Sequence, residues 1–446
     1  MNIINSWLRR DFFTKAVILY LILLFIIGLV KHSNLPPMPI LSMQVIYVFL
    51  VLAFSFLYSQ KSISQLLICV FFFQLICCLG LRYFHYQYFN NPLGYNPVDA
   101  SLYDMQGRWA SLPYKEYIAK FLFRGKFAID DLGFPTIIYI VYRLFGDSGR
   151  DILVLINVGV ITYGCFFLYK TSLMFFDKHK SSFICFFWGI EAFAVRTAAV
   201  GLKENFFAFI MIAAMFYLCK IYKKSQIKDY VLFIIFACLT LFFRFALFYA
   251  FIITFSAIIF LKSKTIQKNL WFFIILILVF VLFNINTILG NILESRGYTL
   301  DSLGYTQETK GSGTLEWGLN SVAAFIGPIP SFVSDEFKRN YITLYSFTPF
   351  TKMLFSLFFL SGVWYALKNK MTQYFPFILM WVMNTIMIIS TFFSQHDRFQ
   401  WPHIPYALIL SCLGYEALRK SYNKRIIENF YLAAVLLIII AFNFRI

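Results

Sequence analysis

The sequence predicts an all-α, polytopic membrane protein of about 13 transmembrane helices, at about 20 residues for each crossing of a ~30 Å hydrocarbon core. Three observations carry this. Of 446 residues, 60% are hydrophobic and only 13% are charged, where a soluble chain is about half apolar and a quarter charged. Mean hydropathy is +0.71. Apolar runs of spanning length recur along the whole chain, whereas the alternating segments of a membrane β-barrel are absent from it. The expected organisation is one integral membrane domain over 1–446. Two large polar loops, 83–135 and 291–345, interrupt it on the outer face.

Charge orients the helices. The formal net charge is +18, but Lys and Arg stand in short clusters between apolar runs, as cytoplasmic loops do. No basic face exists outside those clusters, so nucleic acid is not an expected partner. Arg9, Arg10 and Lys15 place the N-terminus inside. The first apolar run has full length and no small-residue cleavage site, so it reads as a retained helix. Spans are expected near 15–31, 41–58 and 65–82, followed by the outer loop from Tyr83 to Pro135. Within that loop Tyr114–Lys126 interleaves aromatics with lysines and an arginine, a pattern suited to an interfacial helix. Residues 136–145 are apolar but too short to cross. Spans near 152–176 and 181–198 come next, then one from Lys203 to Lys220. Both flanks of 229–262 are Lys-rich, so that stretch crosses twice, with Arg244 at a tight outer turn. Further spans near 270–290, 350–367, 373–393, 403–418 and 428–444 leave the C-terminus outside. The eight cysteines all fall in apolar runs and read as small buried hydrophobes rather than disulfides or metal ligands.

The inner loops are too short for a nucleotide domain, and no Gly-rich phosphate loop is present. Chemistry therefore belongs to the outer face, where a sugar donor is lipid-borne. The first loop concentrates Asp99, Asp104, Arg108, Asp130 and Asp131 in a chain with only 21 acidic residues. Asp99 fits a helix N-cap and equally a general base for a sugar hydroxyl. Asp104 and Arg108, four residues apart, form a helix-surface ion pair, with Asp104 a further catalytic candidate. Arg196, Lys203 and Arg244 are cations at outer ends of spans. They either snorkel to headgroups or grip a lipid diphosphate, which Arg does in bidentate fashion. Glu191 lies within a span, with Arg196 its expected partner. Intramembrane ionisable groups are functional candidates by default. His396 and Arg398 enter a late span from outside, as solvated loop charges or as contacts to a phosphate leaving group. Tyr103, Trp109 and Trp317 suit stacking on sugar rings. No metal-type ligand spacing is present, and the acids leave a divalent cation, Mg²⁺ or Mn²⁺, open.

The order of these features resembles the GT-C superfamily of integral-membrane glycosyltransferases. An outer-loop acid has Tyr four residues on (Asp99, Tyr103). A short pre-span runs from Gly133-Phe134-Pro135 to Gly146. A helix opens with Lys203-Glu204-Asn205, and Phe243-Arg244-Phe245 forms an outer turn. Arg398-Phe399 precedes Pro402 and Pro405. The resemblance implies transfer from a polyprenyl-phosphate or polyprenyl-diphosphate sugar, with Asp99 activating the acceptor and Arg196, Lys203, Arg244 and Arg398 holding phosphate. The family's Asp-Glu doublet is absent, since Ala100 follows Asp99, which makes Asp104 the substitute base. The two large outer loops and the Phe/Ile/Lys-rich composition are also similar to Wzy-type polymerases of O-antigen and capsule. The expected function is joining of repeat units at the outer face of a bacterial inner membrane. Its donor would be polyprenyl-linked and its acceptor a glycan or lipid-linked saccharide. The rivals are a GT-C single-sugar transferase, a flippase or transporter for the same lipid-linked sugars, and a membrane acyltransferase using His396.

Overall fold

The computed structural model describes residues 11–30, 38–57, 62–94, 98–122, 132–224, 226–262, 325–327, 329–330, 347–390, 400–421 and 424–444. Every regular element among the described residues is helical. Helices α1 (Asp11–Val30) and α2 (Met38–Leu57) precede α3 (Ile63–Phe89). A capping box starts α3. Gln65 N–H donates to Ser62 Oγ at 3.4 Å, and Ser62 N–H donates to the Gln65 side chain at 3.1 Å. Ile68, Phe72, Ile76 and Leu79 are exposed on one face of α3, while Val70, Phe73, Cys77 and Leu81 are buried on the other. That three-to-four spacing is the stripe of a helix with one packed side, and its exposed side is apolar, as lipid contact requires. Tyr83–Phe89 continue this helix, which ends with Asn90 at φ 51°. The described part of the first polar loop therefore starts about two turns later than its first residue in sequence suggests.

That loop is itself helical. It contains α4 (Val98–Gly107), a 3₁₀ turn (Arg108–Ser111) and α5 (Tyr114–Leu122). The short apolar piece becomes α6 (Gly133–Phe145), joined through a 3₁₀ turn to α7 (Gly149–Ser172). The next expected span is broken. It comprises α8 (Lys178–Gly189) and α9 (Ala192–Val200), bent by 44° at Ile190–Glu191. After α10 (Glu204–Lys224), the 229–262 stretch divides as its flanking lysines require, into α11 (Ile227–Leu241) and α12 (Phe245–Lys262) around Arg244. The remaining described helices are α13 (Phe347–Lys368), α14 (Phe375–Ser390), α15 (Ile404–Ser421) and α16 (Lys424–Phe444).

Five described stretches are long and apolar enough to cross a membrane: Ile63–Phe89, Gly133–Ser172, Glu204–Lys224, Phe347–Lys368 and Ile426–Phe444; the α8–α9 pair makes six. These fit a multi-pass membrane protein, at a lower count than the thirteen crossings expected. One reason is length: α11 has 15 residues and α12 has 18, short of the ~20 a straight crossing needs. The expected span near 270–290 and nearly all of 291–345 lie outside the described residues. All eight cysteines are free, and six are buried.

The centre of the packing is the second half of α8, α9 and the first turns of α10, where almost every side chain from Ile184 on is buried. Trp188 stacks on Trp401 with ring centroids 5.5 Å apart, and Tyr406 Oη donates to the Met211 carbonyl at 3.1 Å. Helices α13 and α15 approach through Gly362 and Gly414. A Cβ on Gly362 would lie 1.9 Å from the Leu410 carbonyl oxygen, and one on Gly414 1.8 Å from that of Phe358. Such small-residue contacts let backbones pack where lipid supplies no hydrophobic drive.

Candidate functional site

Asp104 is the hub of the polar end of the molecule. Its Oδ1 accepts from Tyr142 Oη at 2.7 Å and from Arg150 Nε at 2.9 Å. Its Oδ2 contacts Arg150 Nη2 and lies 3.5 Å from Arg108 Nη2. Burial pushes the carboxyl pKa up, but the hydrogen bonds from Arg150 and Tyr142 and the charges of Arg150 and Arg108 outweigh it. The group titrates below its ordinary value. Asp104 is therefore a fixed anion that ties α4 to α6 and α7. The expected Asp104–Arg108 pair exists, yet Arg108 remains exposed, and the closer partner is Arg150.

α6 positions these groups. Gly107 and Gly149 both press on the Tyr142 ring, where an added Cβ would come within 2.6 and 2.8 Å of it. Arg143 Nη1 donates to the carbonyls of Ala110 (3.1 Å) and Ser111 (2.6 Å), Tyr139 Oη to that of Leu112 (3.1 Å). From α5, the buried Tyr117 donates to the Pro135 carbonyl at 3.0 Å. Gly133 N–H donates to the Phe242 carbonyl at 2.8 Å, which fastens α6 to the α11–α12 turn. Ring contacts run Tyr103–Phe134 (4.9 Å), Phe134–Phe206 (5.4 Å) and Phe206–Phe243 (6.4 Å). They link α4, α6, α10 and that turn.

Several of the described sequence candidates lie near this end. Asp99 lies in the first turn of α4. Its neighbour Ala100 packs with Leu93, Val200 and Leu202, which brings α4 against the 200–203 turn that carries the buried Lys203. Arg244 sits with its guanidinium carbon 5.5 Å from the centre of the Phe207 ring. Arg196, on α9, is a charged neighbour of His85. Trp109 lies under Lys120 Nζ, 5.1 Å from its ring centre. Asp130, Asp131, Trp317, His396 and Arg398 lie outside the described residues. A cleft of about 360 Å³, lined by Asn91, Ser101, Asp104, Arg108 and Arg150 among others, opens beside α4. That size falls within the range of small-ligand sites. Its two guanidinium groups face a single carboxylate, leaving an excess of positive charge. Among the described residues, no group of three His, Cys, Asp or Glu side chains is placed to hold a metal ion.

Two features go beyond the sequence candidates. Arg150, at the start of α7, carries the same sequence signal as Arg196, a cation at the expected outer end of an apolar run; its partner 46 residues away has no local signature. Glu191, at the α8–α9 break, accepts from Thr348 Oγ1 at 2.9 Å and Thr351 Oγ1 at 3.2 Å, partners that no local pattern indicates. No protein-family description, curated protein or solved structure matches the chain.

Proposed function

We propose that the protein is a membrane glycosyltransferase acting on polyprenyl-linked saccharides, in the role of a repeat-unit polymerase of surface polysaccharide. The observation that supports it best is the cleft beside α4, where Arg108 and Arg150 outnumber the one carboxylate, Asp104. Such a cleft suits a phosphate-bearing ligand, and it stands next to the turn carrying Asp99. In this reading the acceptor hydroxyl oxygen bonds to the anomeric carbon as the bond from that carbon to the phosphate oxygen breaks. The electron pair leaves with the phosphate, and the hydroxyl proton passes to Asp99. Arg108 and Arg150 offset the charge that develops on the leaving group. Asp104, held ionised by two arginines, is a poor proton acceptor and acts as the residue that positions them. Arg196, Lys203, Arg244 and Arg398 serve as further phosphate contacts on the resemblance described above, and His396, entering the same late span as Arg398, joins them as a leaving-group contact. The site then faces the periplasmic side of a bacterial inner membrane, and Mg²⁺ or Mn²⁺ remains an open cofactor.

The test is the surface-glycan ladder of a deletion strain complemented with wild type, Asp99→Asn or Arg108→Ala. Collapse to a single repeat on the anchor in both variants, with normal protein levels, supports the polymerase. A normal ladder lacking one side sugar would favour a single-sugar transferase, and unchanged ladders in both would overturn the site. A second reading, a transporter of lipid-linked sugars, is favoured by the broken α8–α9 helix. Interrupted helices with buried charges line transporter binding sites.

A further inference from the structure

The α8–α9 break borders a cavity of about 30 Å³, room for about two water molecules. Glu191, Lys352 and His403 line it, with Phe355, Phe359 and Trp381 among its apolar walls. Irregular backbone at membrane depth persists only where protein buries it or a hydrated cavity adjoins it. Here Gln74 Nε2 donates to the Gly189 carbonyl at 2.5 Å, and Tyr47 Oη donates to that of Ile190. The break is thus braced in place.

His403 is completely buried. Its Nδ1 lies 2.5 Å from Asn384 Nδ2. An amide nitrogen donates, so Nδ1 accepts, and the proton of the neutral ring sits on Nε2. That Nε2–H is buried and has no hydrogen-bond partner. A buried donor needs an acceptor, and the Glu191 carboxylate lines the same cavity, already taking the hydroxyls of Thr348 and Thr351. Lys352 brings a positive charge to the same cavity, its ammonium held by the Gly327 carbonyl at 2.7 Å and by the Gln400 side chain. Tyr47, from α2, is a further titratable group within the field of Glu191.

We propose that this cavity is a membrane-embedded proton-binding site. Water joins His403 Nε2–H to the Glu191 carboxylate, and Glu191 takes up one proton from the aqueous phase to become a carboxylic acid, then returns it. Small shifts of the α8–α9 break change the environment of that carboxylate, so protonation and the angle of the break are linked. Proton coupling drives one class of transporters, and glycosyl transfer does not call for it. The inference goes beyond the glycosyl-transfer reading and stands independently of it.

The test uses the full chain in lipid nanodiscs and needs no sugar substrate. Infrared difference spectra are recorded during an acid titration, in H₂O and D₂O, for wild type, Glu191→Gln, His403→Gln and Asp99→Asn. The expected result is a carboxylic-acid band that appears on acidification, shifts in D₂O, is missing in Glu191→Gln and persists in Asp99→Asn. His403→Gln moves its midpoint by about one pH unit, because it changes the hydrogen bonding that the charged carboxylate receives. No such band in wild type, a band retained in Glu191→Gln, or an unmoved midpoint in His403→Gln would each overturn the proposal. If Glu191→Gln does not fold, the wild-type and His403→Gln midpoints still decide it. Failure here with a collapsed glycan ladder in Asp99→Asn leaves the glycosyltransferase standing alone.

Discussion

Arg150 grips Asp104 with two nitrogens, Nε at 2.9 Å from Oδ1 and Nη2 against Oδ2, and this clasp joins the loop helix α4 to the membrane helix α7. Both side chains are mostly buried, at 28% and 12% exposure. Arg150→Met removes charge-assisted hydrogen bonds worth about 2 kcal/mol and leaves Asp104 with Tyr142 and a distant Arg108. The expected outcome is a lower unfolding temperature in detergent and faster proteolytic cutting within 98–122. Arg108→Ala, removing an exposed group at 3.5 Å, should change neither measurement.

The same clasp sets a pH dependence. The folded-state carboxyl of Asp104 lies below its ordinary value, chiefly because the hydrogen bonds of Arg150 and Tyr142 overcome burial. A depressed folded pKa contributes stability that is fully present above the unfolded value, about 3.9, and lost as pH falls through the folded one. The stability difference between wild type and Asp104→Asn should therefore be flat from about pH 5 to 8 and shrink below about pH 4. Thermal unfolding of the two proteins across that range checks it.

Helical class and most helix positions are legible in the sequence because each apolar run carries its own signal. The division at Arg244 follows from charges that flank it within one stretch. What local pattern does not carry is long-range pairing. Asp104 reads as a partner of Arg108 because the two are four apart, but Arg150 lies 46 positions away. Glu191 is visible as an acid in an apolar run, and Arg196 as its nearest cation. The break beside it depends on Gln74 and Tyr47, separated from it by 115 and 143 positions. The gathering of Asp99, Lys203 and Arg244 at one end is legible from topology alone, since each ends a helix on the same expected side.

The α13–α15 crossing predicts a sharp contrast between glycines. Gly414→Ala would place a methyl group against the Phe358 carbonyl and force the two helices apart, an overpacking cost of about 1–3 kcal/mol. Gly159→Ala, on α7, meets nothing within 4 Å and should gain up to about 1 kcal/mol from helix propensity. Unfolding temperatures measured side by side should move in opposite directions.

The brace of the α8–α9 break gives the last prediction. Gln74 is fully buried, and its amide reaches the Gly189 carbonyl, which the bend withholds from ordinary helical pairing. Gln74→Leu keeps the volume but leaves that carbonyl without its donor, at a cost of about 1–3 kcal/mol. Because Tyr47 holds the next carbonyl, the break should loosen locally rather than unfold the chain. Amide exchange should therefore rise at residues 190–195 in Gln74→Leu while α3 itself stays protected. Equal exchange in wild type and variant would mean that the bend is held by Tyr47 and the Glu191–Thr348–Thr351 contacts without Gln74.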